Sequence, residues 1–151
     1  MKAVMHIDGG SRGNPGPAGS GVVITSAEGQ PLHAGGYFLG KTTNNVAEYT
    51  GLIRGVEAAL QLGVTDLTIR ADSQLMVRQV NGQYKVKNAG LKPLHAQAKK
   101  LLGRLDGWRF GHVYRDDNQE ADALANQAMD AKAHVGDAEG GGGDESSGGL
   151  F

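Results

Sequence analysis

The chain has 151 residues and a hydrophobic fraction of 39%, enough for one domain with a core of ordinary size. It has no cysteine, which excludes disulfides, thiol catalysis and cysteine zinc sites, and no run of roughly 18 apolar residues that would cross a membrane. The net charge of −1 conceals an asymmetry: residues 136–151 carry Asp137, Glu139, Asp144 and Glu145 without Lys or Arg, and setting those acids aside leaves +3 on residues 1–135, a mild basicity compatible with a polyanionic partner.

Residues 2–8 read as a strand. Its apolar run is broken by His6 and stops at Asp8. It lacks the long apolar region of a signal peptide, so a cytoplasmic protein is expected. Residues 8–17 are dense in Gly, Asn and Pro and read as a turn region. Residues 21–25 and 32–39 read as two further strands, joined by a hairpin at Glu28-Gly29. Hairpin-linked strands imply an antiparallel part of the sheet.

A helix is expected over 45–62, with Tyr49, Leu52, Ile53, Val56 and Leu60 on one face and Gly63 as its stop signal. Glu48 falls at the flank of that face. A fourth strand follows at 65–71, and a short helix at 73–80, capped by Asp72 or Ser73. Residues 81–88 form a basic loop containing Tyr84, Lys85 and Lys87. A helix over 91–105, a fifth strand over 108–114 and a last helix over 118–133 complete the pattern. The order βββαβααβα indicates one α/β domain over 1–134 with a mixed sheet. Seven glycines lie between 136 and 151, and residues 135–151 read as a flexible acidic tail. Its closing Leu150-Phe151 is the one part with reason to dock.

Four acids stand out: Asp8 and Asp72 close strands, and Glu48 and Asp122 lie in the first turns of helices. Two strand ends and two helix starts can meet on one edge of a sheet, where open α/β folds commonly place their sites. Two carboxylates about 4 Å apart repel by about 4 kcal/mol at an effective dielectric of about 20. Hard divalent cations are the usual remedy, and two Mg²⁺ would balance four such charges. Singly, each acid has a plainer reading: a turn residue at Asp8, an N-cap at Asp72, a solvated flank at Glu48, a favourable charge at a helix start at Asp122. The constellation is what favours metal.

Four segments carry a resemblance. Asp8-Gly9-Gly10-Ser11-Arg12-Gly13-Asn14-Pro15-Gly16-Pro17, Thr43-Asn44-Asn45-x-Ala47-Glu48, Asp72-Ser73-Gln74 and Asn118-x-x-Ala121-Asp122-x-Leu124-Ala125-Asn126, in this order, are similar to type 1 ribonuclease H. The resemblance covers about residues 2–130. It implies the ribonuclease H fold, with strand order 3-2-1-4-5 and the second strand antiparallel. It implies two-metal hydrolysis of the RNA strand of an RNA–DNA hybrid, leaving 3′-hydroxyl and 5′-phosphate ends, by a monomer with no specific protein partner inferable. Mg²⁺ is the implied cofactor, with Mn²⁺ a substitute. By the same analogy Asp8 bridges both ions, Glu48 and Asp72 complete the ion on the leaving-group side, and Asp122 holds the ion carrying the attacking water.

The resemblance also implies substrate contacts. Gly9, Gly10, Ser11 and Arg12 would let a nucleic-acid strand approach the backbone closely. Asn14, Asn44, Asn45 and Gln74 would touch sugars and base edges in the minor groove. Thr43 with Asn14 would seat a DNA phosphate, although Thr43 or Asn44 also serves as a helix cap. Tyr84, Lys85 and Lys87 stand where many bacterial relatives insert a longer basic handle, and Asn118 is placed with the substrate contacts. Better-studied bacterial members carry a histidine on a loop before the final Asp. Here the connection 113–118 is short, and Arg115 takes about that place, as in a shorter-loop branch. A guanidinium cannot shuttle protons at neutral pH, so a role on phosphate charge or product release is expected. Two other functions stay open: the same nuclease acting also on double-stranded RNA, and a catalytically weak hybrid-binding module.

Overall fold

The computed structural model describes residues 1–140. The strands are β1 (Lys2–Ser11), β2 (Gly16–Ser26), β3 (Pro31–Thr42), β4 (Asp66–Ala71), β5 (Gly107–His112) and β6 (Val135–Gly136). The helices are α1 (Asn44–Gln61), α2 (Gln74–Val80), α3 (Lys92–Leu102), α4 (Gln119–Ala131) and α5 (Asp137–Gly140), with a 3₁₀ turn at Arg115–Asp117. They form one sheet in the order β5-β4-β1-β2-β3-β6. β1, β2, β3 and β6 pair antiparallel, and β1, β4 and β5 pair parallel.

The α/β fold and the order 3-2-1-4-5 match the expectation, with two corrections. The sheet has a sixth strand, inside the segment read as a tail from residue 135. Val135 and Gly136 pair with Gly36 and Gly35, and Ala138 of α5 is 3% exposed against the core. Two residues are too few to show alternation, and the glycines around them disguise the pairing. Residues 141–151, including Leu150-Phe151, lie outside the described residues. The second correction concerns residues 8–17. β1 continues through Gly9↔Ser20, Gly10↔Gly19 and Ser11↔Ala18, so only 12–15 turn. Gly9 lies under the first turn of α1, whereas Gly13, at φ +92°, and Gly16 pack against the turn's own backbone.

The two faces of the sheet are built differently. Ala3, Met5 and Ile7 point to the face covered by α1, where Val22, Ile24, Leu52, Ile53, Val56, Leu67 and Ile69 complete a dry core. Gly9 continues this face. A Cβ there would come within 2.5 Å of the Ala47 and Glu48 backbone, so only glycine lets the first turn of α1 lie on the strand. Ser20 Oγ donates to the Ala47 carbonyl at 2.5 Å and pins that turn. The other face is covered by α4 and is lean. Ala121, Ala125, Ala128 and Met129 are the buried residues of α4. They lie over Gly19, Gly21 and Gly36, where an added Cβ would run into the carbonyls of Ala125, Ala121 and Leu124.

Helix ends follow local chemistry. Thr43 Oγ1 accepts from Val46 N–H at 3.2 Å to start α1. Ser73 Oγ accepts from Met76 N–H at 3.3 Å to start α2. Ser73, not Asp72, is therefore the cap of α2, and the plain reading of Asp72 loses its support.

Candidate active site

The register brings the four acids together. Parallel pairing of β1 with β4 ends at Ile7↔Ala71, so Asp8 and Asp72 follow side by side where that pairing stops. Asp8 pairs with Gly21 across β2, and Gly21 lies under the Ala121 carbonyl. Asp122, the next residue, is thereby set over Asp8. Glu48 arrives from the opposite face on the turn of α1 that Gly9 admits.

These carboxylates line one open cleft of about 490 Å³. Burial raises the Asp8 carboxyl to about 8, aided by the Asp72 charge and by a hydrogen bond and charge from Asp122, against a Gly9 backbone hydrogen bond that lowers it. Burial likewise raises Glu48 to about 7, with the Asp72 charge acting in the same sense and the Ser73 hydroxyl opposing it. Asp8 feels two acidic neighbours, Asp72 and Asp122. Two carboxyls that resist losing their protons, Asp8 and Glu48, call for counter-charge once ionised.

The donor chemistry fits hard cations: four carboxylates, with hydroxyl and amide oxygens beside them, in an open polar cleft. Among the described residues no group of three His, Asp or Glu side chains is arranged to hold an ion by itself.

Gly9, Gly10, Ser11, Arg12, Asn44, Asn45 and Arg115 also line the cleft. Other expected contacts stand elsewhere. Asn14 Oδ1 accepts from the Asn44 N–H at 3.0 Å, and Asn44 Oδ1 accepts from Ser11 N–H at 2.7 Å. Asn14 and Asn44 thus fasten the β1–β2 turn to the start of α1, and Thr43 is occupied as its cap. Gln74 is exposed at the first position of α2. Tyr84, Lys85 and Lys87 line a separate groove of about 370 Å³ with Leu75 and Gln83, and the Arg78 guanidinium lies 5.4 Å from the Tyr84 ring centre.

Asn118 is buried at the start of α4. It is 1% exposed, and its Nδ2 donates to the Ile7 carbonyl at 2.8 Å. It ties the start of α4 to β1 one residue before Asp8. Sequence reading also missed Ser73 and Asn126 as lining residues. Asn126 lies one helical turn after Asp122, a spacing that was available as a signal.

Comparison with known proteins identifies the family. Residues 6–128 match the family model described as "Reverse transcriptase-like". The ribonuclease HI of Halobacterium salinarum is 44% identical over 125 residues, covering 83% of this chain and 63% of that protein. Its RNase H1 crystal structure superposes with a TM-score of 0.85 at 42% identity, covering 87% of this chain and 99% of that one. The bifunctional protein Rv2228c of Mycobacterium tuberculosis is 46% identical over 134 residues, 88% of this chain but 37% of that protein. LC11-RNase H1, solved in complex with RNA/DNA hybrid, has a TM-score of 0.82 at 42% identity and covers 86% of this chain and 98% of that one. The chain belongs to the type 1 ribonuclease H family. It spans less than two thirds of the length of the mycobacterial and halobacterial full-length relatives.

Proposed function

We propose that the chain hydrolyses the RNA strand of RNA–DNA hybrids, leaving 3′-hydroxyl and 5′-phosphate ends. The observation that carries this reading is the convergence of Asp8, Glu48, Asp72 and Asp122 from four separate elements in one open cleft. Mere binding of a polyanion would be weakened by such a cluster. Two Mg²⁺, or Mn²⁺ in their place, held by these four carboxylates would supply Lewis acidity at the scissile phosphate and an acidified water.

The chain's own residues position the reactants. Asn45 and the backbone of Gly9 and Gly10, at the cleft wall, would read the ribose side of the RNA strand, where the 2′-hydroxyl separates RNA from DNA. Gln74 stands at the adjoining helix start for the same purpose. Arg115 lines the cleft on the 3₁₀ turn, and its planar fork suits developing charge on phosphate. The groove of Tyr84, Lys85 and Lys87 would hold the partner strand by phosphate contacts and a ring face. Such contacts position the duplex without reading sequence.

The test is a gel assay with end-labelled hybrid, RNA duplex, DNA duplex and single-stranded RNA, each with and without Mg²⁺. Metal-dependent cleavage of RNA in the hybrid, with DNA left whole, is the expected result. Binding of hybrid without cleavage would leave only a binding module. Equal cleavage of RNA duplex would give the broader nuclease.

A further inference from the structure

Arg12 is held in an unusual way for a side chain at the mouth of an acidic cleft. It sits on the β1–β2 turn, whose shape is set by Arg12 N–H donating to the Pro17 carbonyl at 2.8 Å and Ser11 Oγ donating to the Thr42 carbonyl at 2.8 Å. From that turn the guanidinium reaches across to α4. Nη1 lies 2.7 Å from Asp130 Oδ1. Nη2 donates to Asn126 at Oδ1, 3.2 Å, and at the backbone carbonyl, 3.4 Å. Asn126 in turn donates from Nδ2 to the Asp122 carbonyl at 3.0 Å. Arg12 and Arg115 are the basic residues among those lining the cleft.

A guanidinium has five N–H donors. These contacts leave Nε–H and the second Nη1–H unused, on a side chain 44% exposed. The planar fork is thus fixed in direction while two single N–H groups, on different sides of it, stay available to an anion. We propose that Asp130 is a positioning residue, which holds Arg12 at the cleft so that a free N–H of its guanidinium meets a backbone phosphate of the nucleic acid. Asp130 touches no substrate in this scheme and acts through Arg12, with Asn126 as the second brace. The proposal rests on the hybrid-cleaving function above.

The sign of the effect makes it testable. Asp130 is a negative charge, 68% exposed, near a site for a polyanion. If it had no positioning role, removing its charge would strengthen substrate binding. If it aims Arg12, removal weakens binding.

The experiment measures kcat and KM for Mg²⁺-dependent hybrid cleavage, with thermal melts on the same samples. Arg12→Ala is expected to raise KM about ten-fold and Asp130→Asn about three-fold, in line with a charge-assisted contact and an exposed pair. Turnover number should change by less than about two-fold, a split that follows from loss of uniform binding. Asp130→Glu should recover most of the loss. In the Arg12→Ala background, Asp130→Asn should raise KM no further. A lowered or unchanged KM in Asp130→Asn, with a native melt, overturns the proposal. So does an equal rise with and without Arg12, or a rise accompanied by a lowered melting temperature that Asp130→Glu does not restore. Absence of hybrid cleavage in the wild type would overturn the functional reading itself and this inference with it. Cleavage that is indifferent to Asp130 would overturn this inference alone.

Discussion

Replacing Asp8 with Asn should make the protein more stable and, by the proposed function, nearly inactive. The carboxyl is raised from 3.8 to about 8, first by burial and then by Asp72 and Asp122. A raised acid binds its proton more tightly in the folded chain than in the unfolded one, so its contribution to stability is whole below about pH 4. That contribution is lost as pH climbs towards 8. The part of the shift that lies below pH 7 corresponds to about 4 kcal/mol, at about 1.4 kcal/mol per pH unit. Sharing of protons within the cluster reduces this, and about 2 kcal/mol is expected, or about 4–8 °C in Tm for a chain of this size. Melts in EDTA from pH 4 to 8 test the sign: wild type and Asp8→Asn should coincide near pH 4 and diverge above it, with the variant higher. Hybrid cleavage should fall at least about a hundred-fold, as when a key electrostatic group is removed. A variant melting at or below wild type throughout pH 5–8, with native circular dichroism, would refute the argument that Asp8 is held against repulsion.

The other predictions concern the same scaffold. Mg²⁺ at about ten times its Kd should add about 1.4 kcal/mol, or about 3–5 °C in Tm, and Asp72→Asn should shrink that rise; equal rises in both proteins would remove Asp72 from the ion site. Asn118→Ala leaves the Ile7 carbonyl without its side-chain donor and should cost about 1–3 kcal/mol, read as a lower Tm together with lower turnover. An unchanged Tm with a raised KM would instead put Asn118 in contact with substrate. Ending the chain after His134 removes the β6 pairing and buried Ala138. It should lower Tm by about 3–6 °C relative to ending it after Gly140, for a loss of about 1.5 kcal/mol; equal melting would mean that this clasp contributes nothing.

Much of the site was legible because acids at strand ends and helix starts are costly unless used, and Asp8, Glu48, Asp72 and Asp122 do line one cleft. The helices were legible to within a few residues, since their apolar faces repeat at helical spacing. What failed has physical causes. Residues 8–17 read as a turn region, yet Gly9 gives room to a helix packed across its strand, as Gly19 and Gly21 do in β2. Spacing along the chain could not separate Asn118, which bonds the backbone under the site, from Asn45, which lines it. The brace from Asp130 to Arg12 joins positions 118 residues apart, and one sequence contains no mark of such a pair.

The lean face beneath α4 has a consequence for motion. Alanine on glycine removes little apolar surface from water, and free energy of burial scales with that surface. None of the buried residues of α4 belongs to the dry cluster between α1 and the sheet. Proteins open in parts, beginning with the part held by the least burial. The helix that delivers Asp122 is therefore the one whose departure leaves the main core intact. The cleft is assembled from one firmly seated wall, carrying Asp8, Glu48 and Asp72, and one wall on a lighter hinge. Ions or substrate that join the two walls would act as a fastener, slowing the excursions of α4 and reducing the exchange of its amide protons with solvent.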